Sequence, residues 1–372
     1  MDIFDENITT EFIADITNEK IEQKREIDGF KYNMFQSTII KDTTEYYCER
    51  INITSDRNIN GIHGLFFSNN KNNNSRFEGK DIDTEDPRLF ICNDKIYVVF
   101  NVFSPFPGHK RSMAISEYNH FQPIYLRIGD QNCEDFQEQI VEKNWSPCVV
   151  NNQLYFIYIF DPLIVLHYNF NPEGICTIHY KQNPEINIRD IYTPHKCLRG
   201  SSTFIPFMES FLGELYIGLC HSYIYKDDQY YYYAFLCILN VTKWEIVYIS
   251  KPIACRSLLT DTISKYKDTD IINNFDRYYY KDTCDGSIRH TDITLVYPTS
   301  IYSSSTDLGE SPDFLIEYTI ILNLNKYSLK NKMTIDYVAI LQQIIIQEED
   351  TRNRPWDDIV RQYSMNLINN SL

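Results

Sequence analysis

The sequence predicts an all-β chain built from repeated units. Three observations predict it: a recurring turn-and-strand segment, apolar runs that continue through consecutive residues, and helical periodicity confined to the two ends. Asn93-Asp94-Lys95-Ile96-Tyr97-Val98-Val99-Phe100 is echoed by Asn151-Asn152-Gln153-Leu154-Tyr155-Phe156-Ile157-Tyr158, and again by Leu212-Gly213-Glu214-Leu215-Tyr216-Ile217-Gly218-Leu219. Each is a turn followed by an apolar, aromatic strand. The matching residues Tyr97, Tyr155 and Tyr216 are 58 and 61 residues apart. That exceeds the roughly 40 to 50 of common propeller repeats, and four strands with longer loops account for it. Weaker copies at Thr44-Glu45-Tyr46-Tyr47-Cys48 and Ser311-Pro312-Asp313-Phe314-Leu315-Ile316 bring the series to five units. The fold expected is a five-bladed β-propeller.

Taken in order, residues 1–30 form an N-terminal extension, in which Thr10 to Gln23 shows some helical periodicity. The propeller spans 31–345. Within it, Phe156 to Phe160 is apolar on consecutive residues, as expected of a strand covered on both faces by neighbouring blades. The run Tyr230-Tyr231-Tyr232-Tyr233 continues into Ala234-Phe235-Leu236-Cys237 and reads as an aromatic strand rather than a nucleic-acid platform, because flanking Lys and Arg are few. Between Cys255 and Asp292 the chain turns polar and irregular, so an insertion at about 255–292 separates the fourth and fifth units. Residues 346–372 are expected to form a short helical cap: Pro355 suits a first helical turn, and Trp356, Ile359, Val360, Tyr363 and Leu367 follow at helical spacing.

Composition narrows the function. A chain of 372 residues, 43% apolar and 15% aromatic, has ample material for a buried core. A net charge of −16 opposes non-specific binding to nucleic acid or to an anionic membrane, so a neutral ligand such as a sugar suits it better. The ten cysteines lie far apart without a Cys-x-x-Cys pair, which reads as buried reduced thiols. Met1-Asp2-Ile3-Phe4-Asp5-Glu6 lacks the basic start and apolar core of a signal peptide. The apolar stretch from Leu154 to Tyr168 is too short to cross a bilayer and is interrupted by Asp161-Pro162. A soluble, cytoplasmic protein is expected. Asp81-Ile82-Asp83 and Asp268-Thr269-Asp270 have the Asp-x-Asp form of some metal-dependent transferases, but such triplets are common in acidic chains and neither lies in a strand-helix alternation. Neither a metal nor an organic cofactor is expected.

The most informative segment is Asp83-Thr84-Glu85-Asp86-Pro87-Arg88-Leu89-Phe90, a charged cluster that runs straight into an apolar strand. Arg88 stands just before the buried run, and arginine is rarely buried unpaired. Around this segment the chain resembles the inverting β-mannoside phosphorylases and hydrolases of glycoside hydrolase family 130 and the related β-1,2-mannosyltransferases, which share a five-bladed propeller. The resemblance covers roughly residues 30 to 320 in matching order. It implies that Asp86, within Glu85-Asp86-Pro87-Arg88, is the proton donor. Asn33 and Arg50 resemble the family's first-blade sugar ligands, and Glu85, Arg88 and Tyr297 fall in segments that line the sugar site. Lys143, in Glu142-Lys143-Asn144-Trp145-Ser146-Pro147, resembles a phosphate contact; Trp145 beside it is either a sugar-stacking platform or blade packing. Arg199, in Arg199-Gly200-Ser201-Ser202, and His221, at the end of an apolar strand, resemble the remaining phosphate ligands.

Glycosyl transfer with inversion needs an acid for the leaving oxygen and a nucleophile on the opposite face of the sugar. If phosphate is the nucleophile no second carboxylate is required, but cations must hold the anion, and Lys143, Arg199 and His221 are candidates. The same set suits a sugar 1-phosphate or nucleotide-sugar donor. A mannose-containing saccharide is then the expected partner, with inorganic phosphate or a sugar phosphate as co-substrate. One departure from the family stands out: its fifth-blade Tyr-Gly-x-x-Asp is replaced by Glu317-Tyr318-Thr319-Ile320-Ile321-Leu322, and neither Glu317 nor Asn323 is at the matching position. The alternative expectation is therefore a propeller without catalysis, serving as a carbohydrate-binding or interaction module.

Overall fold

The computed structural model describes residues 8–12, 32–52, 63–71, 75–129, 141–183, 198–210, 213–226, 229–250, 293–303, 313–322, 325–335, 339, 340 and 342. Helical backbone among them is limited to a 3₁₀ turn at Lys80–Ile82 and to residues 339, 340 and 342. The rest of the regular structure is β. The expected insertion at about 255–292 and the helical cap at 346–372 lie outside the described residues.

Strand β1 (Ile8–Phe12) comes first in the chain but belongs to the last sheet. The first sheet has the order β2 (Tyr32–Lys41), β3 (Thr44–Asn52), β4 (His63–Asn69), β5 (Arg76–Glu78). The second runs β6 (Glu85–Cys92), β7 (Lys95–Phe103), β8 (Arg111–Glu117), β9 (Ile124–Tyr125). In the third, β11 (Ser146–Val150), β12 (Gln153–Phe160), β13 (Leu163–Tyr168) and β14 (Ile175–Lys181) form a meander, and β10 (Arg127–Ile128) pairs in parallel with β14. The fourth sheet holds nine strands. In it β16 (Ile205–Ser210), β17 (Gly213–Lys226), β18 (Gln229–Asn240) and β19 (Glu245–Ile249) form one antiparallel meander, and β15 (Arg199–Gly200) pairs with the far end of β17. A second meander consists of β20 (Ile293–Ser303), β21 (Asp313–Leu322), β22 (Asn325–Ile335) and β1. One parallel residue pair, Tyr232 with Leu295, joins the two.

Local sequence explains these hairpins. Asp42-Thr43, Asn93-Asp94 and Asn151-Asn152 all have positive φ at both positions and connect paired strands directly. That is the two-residue turn whose twist matches flanking strands, and Asn and Asp tolerate its left-handed backbone better than most residues. The repeated segments seen in the sequence accordingly fall in β3, β7, β12, β17 and β21, each antiparallel to the strand before it. The run from Leu154 to Tyr168 is not one element but the hairpin β12–β13, turning at Asp161-Pro162. Thr10 to Phe12, where helical periodicity begins, is strand instead, because the edge of β22 offers a complete antiparallel ladder. Residues 13–23 of that stretch lie outside the described residues.

Consecutive apolar residues are explained by packing on both faces. Successive side chains of a strand point to opposite sides. Leu89 and Val98 enter a core shared with Cys48, Leu65 and Phe67, whereas their neighbours Phe90 and Val99 enter one with Trp145, Phe156 and Tyr158. In β12 the alternation continues: Phe156 faces the second sheet, and Ile157 joins Phe204, Phe235 and Cys237 of the fourth. Full burial of such a side chain stabilises by about 1.5–3 kcal/mol, so each layer is a major source of cohesion. Strand β2 also packs on β6 and on β20, β21 and β22, and β6 packs on β11. The sheets are thus arranged face to face in propeller-like order. Cys48, Cys92, Cys148, Cys176, Cys220 and Cys237 are buried free thiols; Cys133, Cys197, Cys255 and Cys284 lie outside the described residues.

Candidate active site

The site begins with a bulge. Glu85 pairs with Asn101, but the next pair is Arg88 with Val99, so β6 carries an extra residue at Asp86-Pro87. Pro87 donates no hydrogen bond and fits where the ladder is interrupted. Asp86 has φ of 50°, a left-handed conformation that costs an aspartate roughly 1–2 kcal/mol. Bulges re-aim side chains, and this one turns the Asp86 carboxylate toward Arg50 of β3, whose Nη1 lies 2.9 Å from its Oδ1.

Glu85 is the hub. Its Oε1 is 3.0 Å from Arg50 Nη2 and 2.6 Å from Arg111 Nη2, and its Oε2 accepts from Lys143 Nζ at 3.0 Å. Arg111 also grips Asp83, donating from Nη2 to Oδ2 at 2.7 Å and from Nη1 to the backbone oxygen at 2.8 Å. His63 completes the ring: its Nδ1 is 3.0 Å from Asp83 Oδ1, and its Nε2 is 3.2 Å from Arg50 Nη2. These partners suit the tautomer with hydrogen on Nδ1. The donor atoms of His63, Asp83 and Glu85 lie within 4.8 Å of one another, a spacing that suits a cation. Arg111 bridges the two carboxylates and occupies that role.

These contacts set protonation. Burial raises the Asp83 carboxyl, but hydrogen bonds from His63 and the charge of Arg111 outweigh it and bring the group to about 2. Burial also works to raise Asp86; the charges of Arg50, Lys143 and Arg88, with the Arg50 hydrogen bond, hold it below the usual carboxylate range. Asp86 is an anion in this state.

Arg88 differs from the other bases. It is fully buried, and its Nε donates to the Ser201 carbonyl at 3.0 Å, Nη1 to that of Asp86 at 3.0 Å, and Nη2 to that of Gly200 and to Asn144 Oδ1, both at 3.1 Å. Gly200 is needed there: a Cβ at that position would stand 2.0 Å from Ser146 Oγ and 2.6 Å from the Asn144 carbonyl. Arg88 therefore ties β6, the Asn144 turn and the 199–202 segment together. Its donors face protein acceptors in a sealed position, which corrects the expectation of a sugar contact.

Trp145 is corrected on the same ground. At 0% exposure it packs on Phe156 and Tyr158, and its Nε1 donates to Glu142 Oε2 at 3.0 Å, so it has no face for a sugar. His221 lies opposite Arg199 in the β15–β17 pair, with Nδ1 2.6 Å from Ser201 Oγ. Burial first, and then Arg88 and Arg199, push its pKa down to about 3, so it is a neutral imidazole and not the cation expected. Arg199 itself is exposed. Asn33, opposite Ile51 in β2, and Tyr297, opposite Thr319 in β20, are placed by backbone alone. Glu317 is buried between the first and last sheets, where Gln36 Nε2 lies 3.4 Å from its Oε1.

The structure thus brings Arg50, Glu85, Asp86 and Lys143 into one charged cluster and links His221 to it through Ser201 and Arg88. His63 and Arg111 are site residues that the sequence reading missed. Both stand at the head of an apolar run, Gly64-Leu65-Phe66-Phe67 and Ser112-Met113-Ala114-Ile115, the same signal that singled out Arg88.

No protein-family model matches the chain, and no curated protein matches it. Among solved structures it is similar to the catalytic domain of a GH62 α-L-arabinofuranosidase from Coprinopsis cinerea, with 11% identity, a TM-score of 0.43, and coverage of 85% of this chain and 95% of that one. It is similar to MPT-1, a GDP-Man-dependent mannosyltransferase from Leishmania mexicana, with 8% identity and a TM-score of 0.38 over 88% of this chain and 95% of that one. A family 117 glycoside hydrolase from Zobellia galactanivorans gives 11% identity and a TM-score of 0.40, over 90% and 91% of the two chains. None of these likenesses is close enough to assign an activity or a substrate.

Proposed function

We propose that this protein is a carbohydrate-active enzyme, a five-bladed propeller that transfers or phosphorolyses a β-linked mannose or similar hexose with inversion. The five-blade reading counts the two meanders of the nine-stranded sheet as separate blades, since a single residue pair joins them. The observation that carries the functional reading is Asp86: a carboxylate turned by a strained bulge into a cluster where bases outnumber acids. Around it Arg50, Arg111 and Lys143 pair with Asp83, Glu85 and Asp86, and the sealed Arg88 adds its charge to the field at Asp86, four formal positive charges against three negative, with exposed Arg199 close enough to act on His221. Such a surplus favours an anionic co-substrate.

In phosphorolysis the glycosidic bond breaks as Asp86, in its acid form, gives its proton to the leaving oxygen. A phosphate oxygen bonds the anomeric carbon from the opposite face. Asp86 must first gain that proton. An anion that engages Lys143 takes up part of the positive field holding Asp86 ionised, which raises its pKa toward the range an acid needs. His221, being neutral, would assist as a hydrogen-bond donor.

The test is product formation from mannose 1-phosphate or GDP-mannose with mannose acceptors, repeated with Asp86→Asn. In this synthetic direction Asp86 acts in reverse, as the base that takes the acceptor hydroxyl's proton, and turnover is expected to fall by about 10²–10⁴-fold, the usual contribution of general acid–base catalysis. Unchanged turnover would remove Asp86 from the role. A second reading has its own observation: Asp86 is already neutralised by Arg50, and the family's fifth-blade Asp is missing. Saccharide binding without turnover of any donor would establish a binding module.

A further inference from the structure

Two large apolar side chains stand exposed among the described residues, Phe103 at 58% and Val141 at 37%. Both flank one residue. Phe103 closes β7 directly opposite Arg111, which opens β8, and Val141 forms an isolated parallel bridge with the same Arg111. The guanidinium of Arg111 lies under the Phe103 ring, 4.5 Å from its centroid, and is itself held by Asp83 and Glu85. Glu85 adjoins Asp86. The exposed ring is therefore mounted on the charged cluster through one ion-paired side chain.

The loop that follows is tied to itself. Ser104 Oγ is 2.6 Å from Ser112 Oγ and accepts from the Phe106 amide at 3.1 Å; the Ser104 amide donates to the Lys110 carbonyl at 3.3 Å, and that of His109 to the Phe106 carbonyl at 3.3 Å. A ring held from beneath by a paired guanidinium and from behind by a closed loop loses little freedom when something stacks on it. Two exposed apolar side chains among the described residues are far fewer than the roughly 20–30 residues a side of a protein–protein interface. A single exposed aromatic ring suits the apolar face of one sugar ring.

We propose that Phe103 is the stacking platform of an outer saccharide subsite, binding the ring next to the one that occupies the charged cluster, with Val141 at its margin. This rests on the saccharide reading above and extends it: the ligand is at least a disaccharide, one ring at the polar cluster and the next on Phe103. Stacking on an exposed ring selects for chain length more than for hydroxyl pattern, because it engages the sugar's C–H face.

The experiment is calorimetric titration of the full chain with mannose, β-1,2-mannobiose and β-1,2-mannotriose, using wild type, Phe103→Ala and Phe103→Trp, with thermal unfolding as a check that each variant folds. Wild type is expected to bind the disaccharide more tightly than mannose. Phe103→Ala should weaken the disaccharide by about fivefold to tenfold more than it weakens mannose, and Phe103→Trp should restore it. Equal loss for mono- and disaccharide, or no loss for either, overturns the subsite and leaves the saccharide reading standing. If wild type binds none of the three sugars, that reading fails and the subsite fails with it.

Discussion

Glu85 and Arg88 are three residues apart on one strand, yet they live in opposite electrostatic settings. Glu85 meets three cationic side chains, of which Lys143 is 32% exposed. Arg88 is sealed, and the partners given above for it are three backbone carbonyls and one side-chain amide. A charge satisfied by fixed carbonyls cannot be re-paired without moving the chain, whereas one satisfied by a half-exposed lysine can exchange that partner for a ligand. The bulge between them separates a sealed structural ion from a partly solvated ion-pair cluster.

The difference is broken most directly at Arg88. Arg88→Ala should cost about 3–5 kcal/mol of stability in a denaturant titration, since it leaves a cavity and strands the carbonyls of Asp86, Gly200 and Ser201. Arg88→Lys should recover little, because an ammonium on a flexible stem cannot reproduce the planar fork. Loss of less than about 1 kcal/mol, the level of an exposed pair, would erase the distinction.

Acid sharpens it next. His221 has a folded pKa near 3 against an ordinary 6.5, so the folded protein binds fewer protons than the unfolded chain within that window. Its contribution is fully present above pH 6.5 and is lost, by about 1.4 kcal/mol per pH unit, as pH falls toward 3. Asp83, at about 2 against 3.8, adds a loss only at the lower end, between those two values. Unfolding free energy measured from pH 7 to 4 should therefore slope downward in wild type, and the slope should flatten in His221→Gln. An unchanged slope in that variant would show that His221 is protonated in the folded state.

Lys143→Met should give the smallest change in stability, under about 1 kcal/mol, because the lysine is partly solvated and Glu85 retains two arginines. Its mark should instead be weaker phosphate binding by titration. A stability loss as large as that of Arg88→Ala would place Lys143 in the sealed half.

Much of this was legible in the sequence, for identifiable reasons. Asn93-Asp94 and Asn151-Asn152 announce tight hairpins through their own backbone preferences, and two-sided burial shows as unbroken apolar runs such as Phe156 to Phe160. The cluster at Glu85-Asp86 was readable because charged residues collide there with a buried strand. What one strand cannot report is which neighbour answers its charges. Arg111 and His63 come from other strands, and the sealing of Arg88 depends on how closely Gly200 approaches Ser146. Trp145 failed for the same reason: an aromatic in a motif looks alike whether it faces a ligand or a core. The β1 strand was missed because weak helical periodicity is overruled by a waiting ladder on β22.

That ladder bears on how the chain is made. Residues 8–12 leave the ribosome before every other described residue, but their partners, 331–335, are among the last described residues to emerge. Until then β1 is an unattached strand and the growing sheets lack their final covering edge. Synthesis at roughly 5–20 residues per second sets a delay of many seconds before the two can meet. The nascent chain must carry a sticky end through most of its own birth, and holding that end in check during this interval is a demand the finished fold no longer reveals.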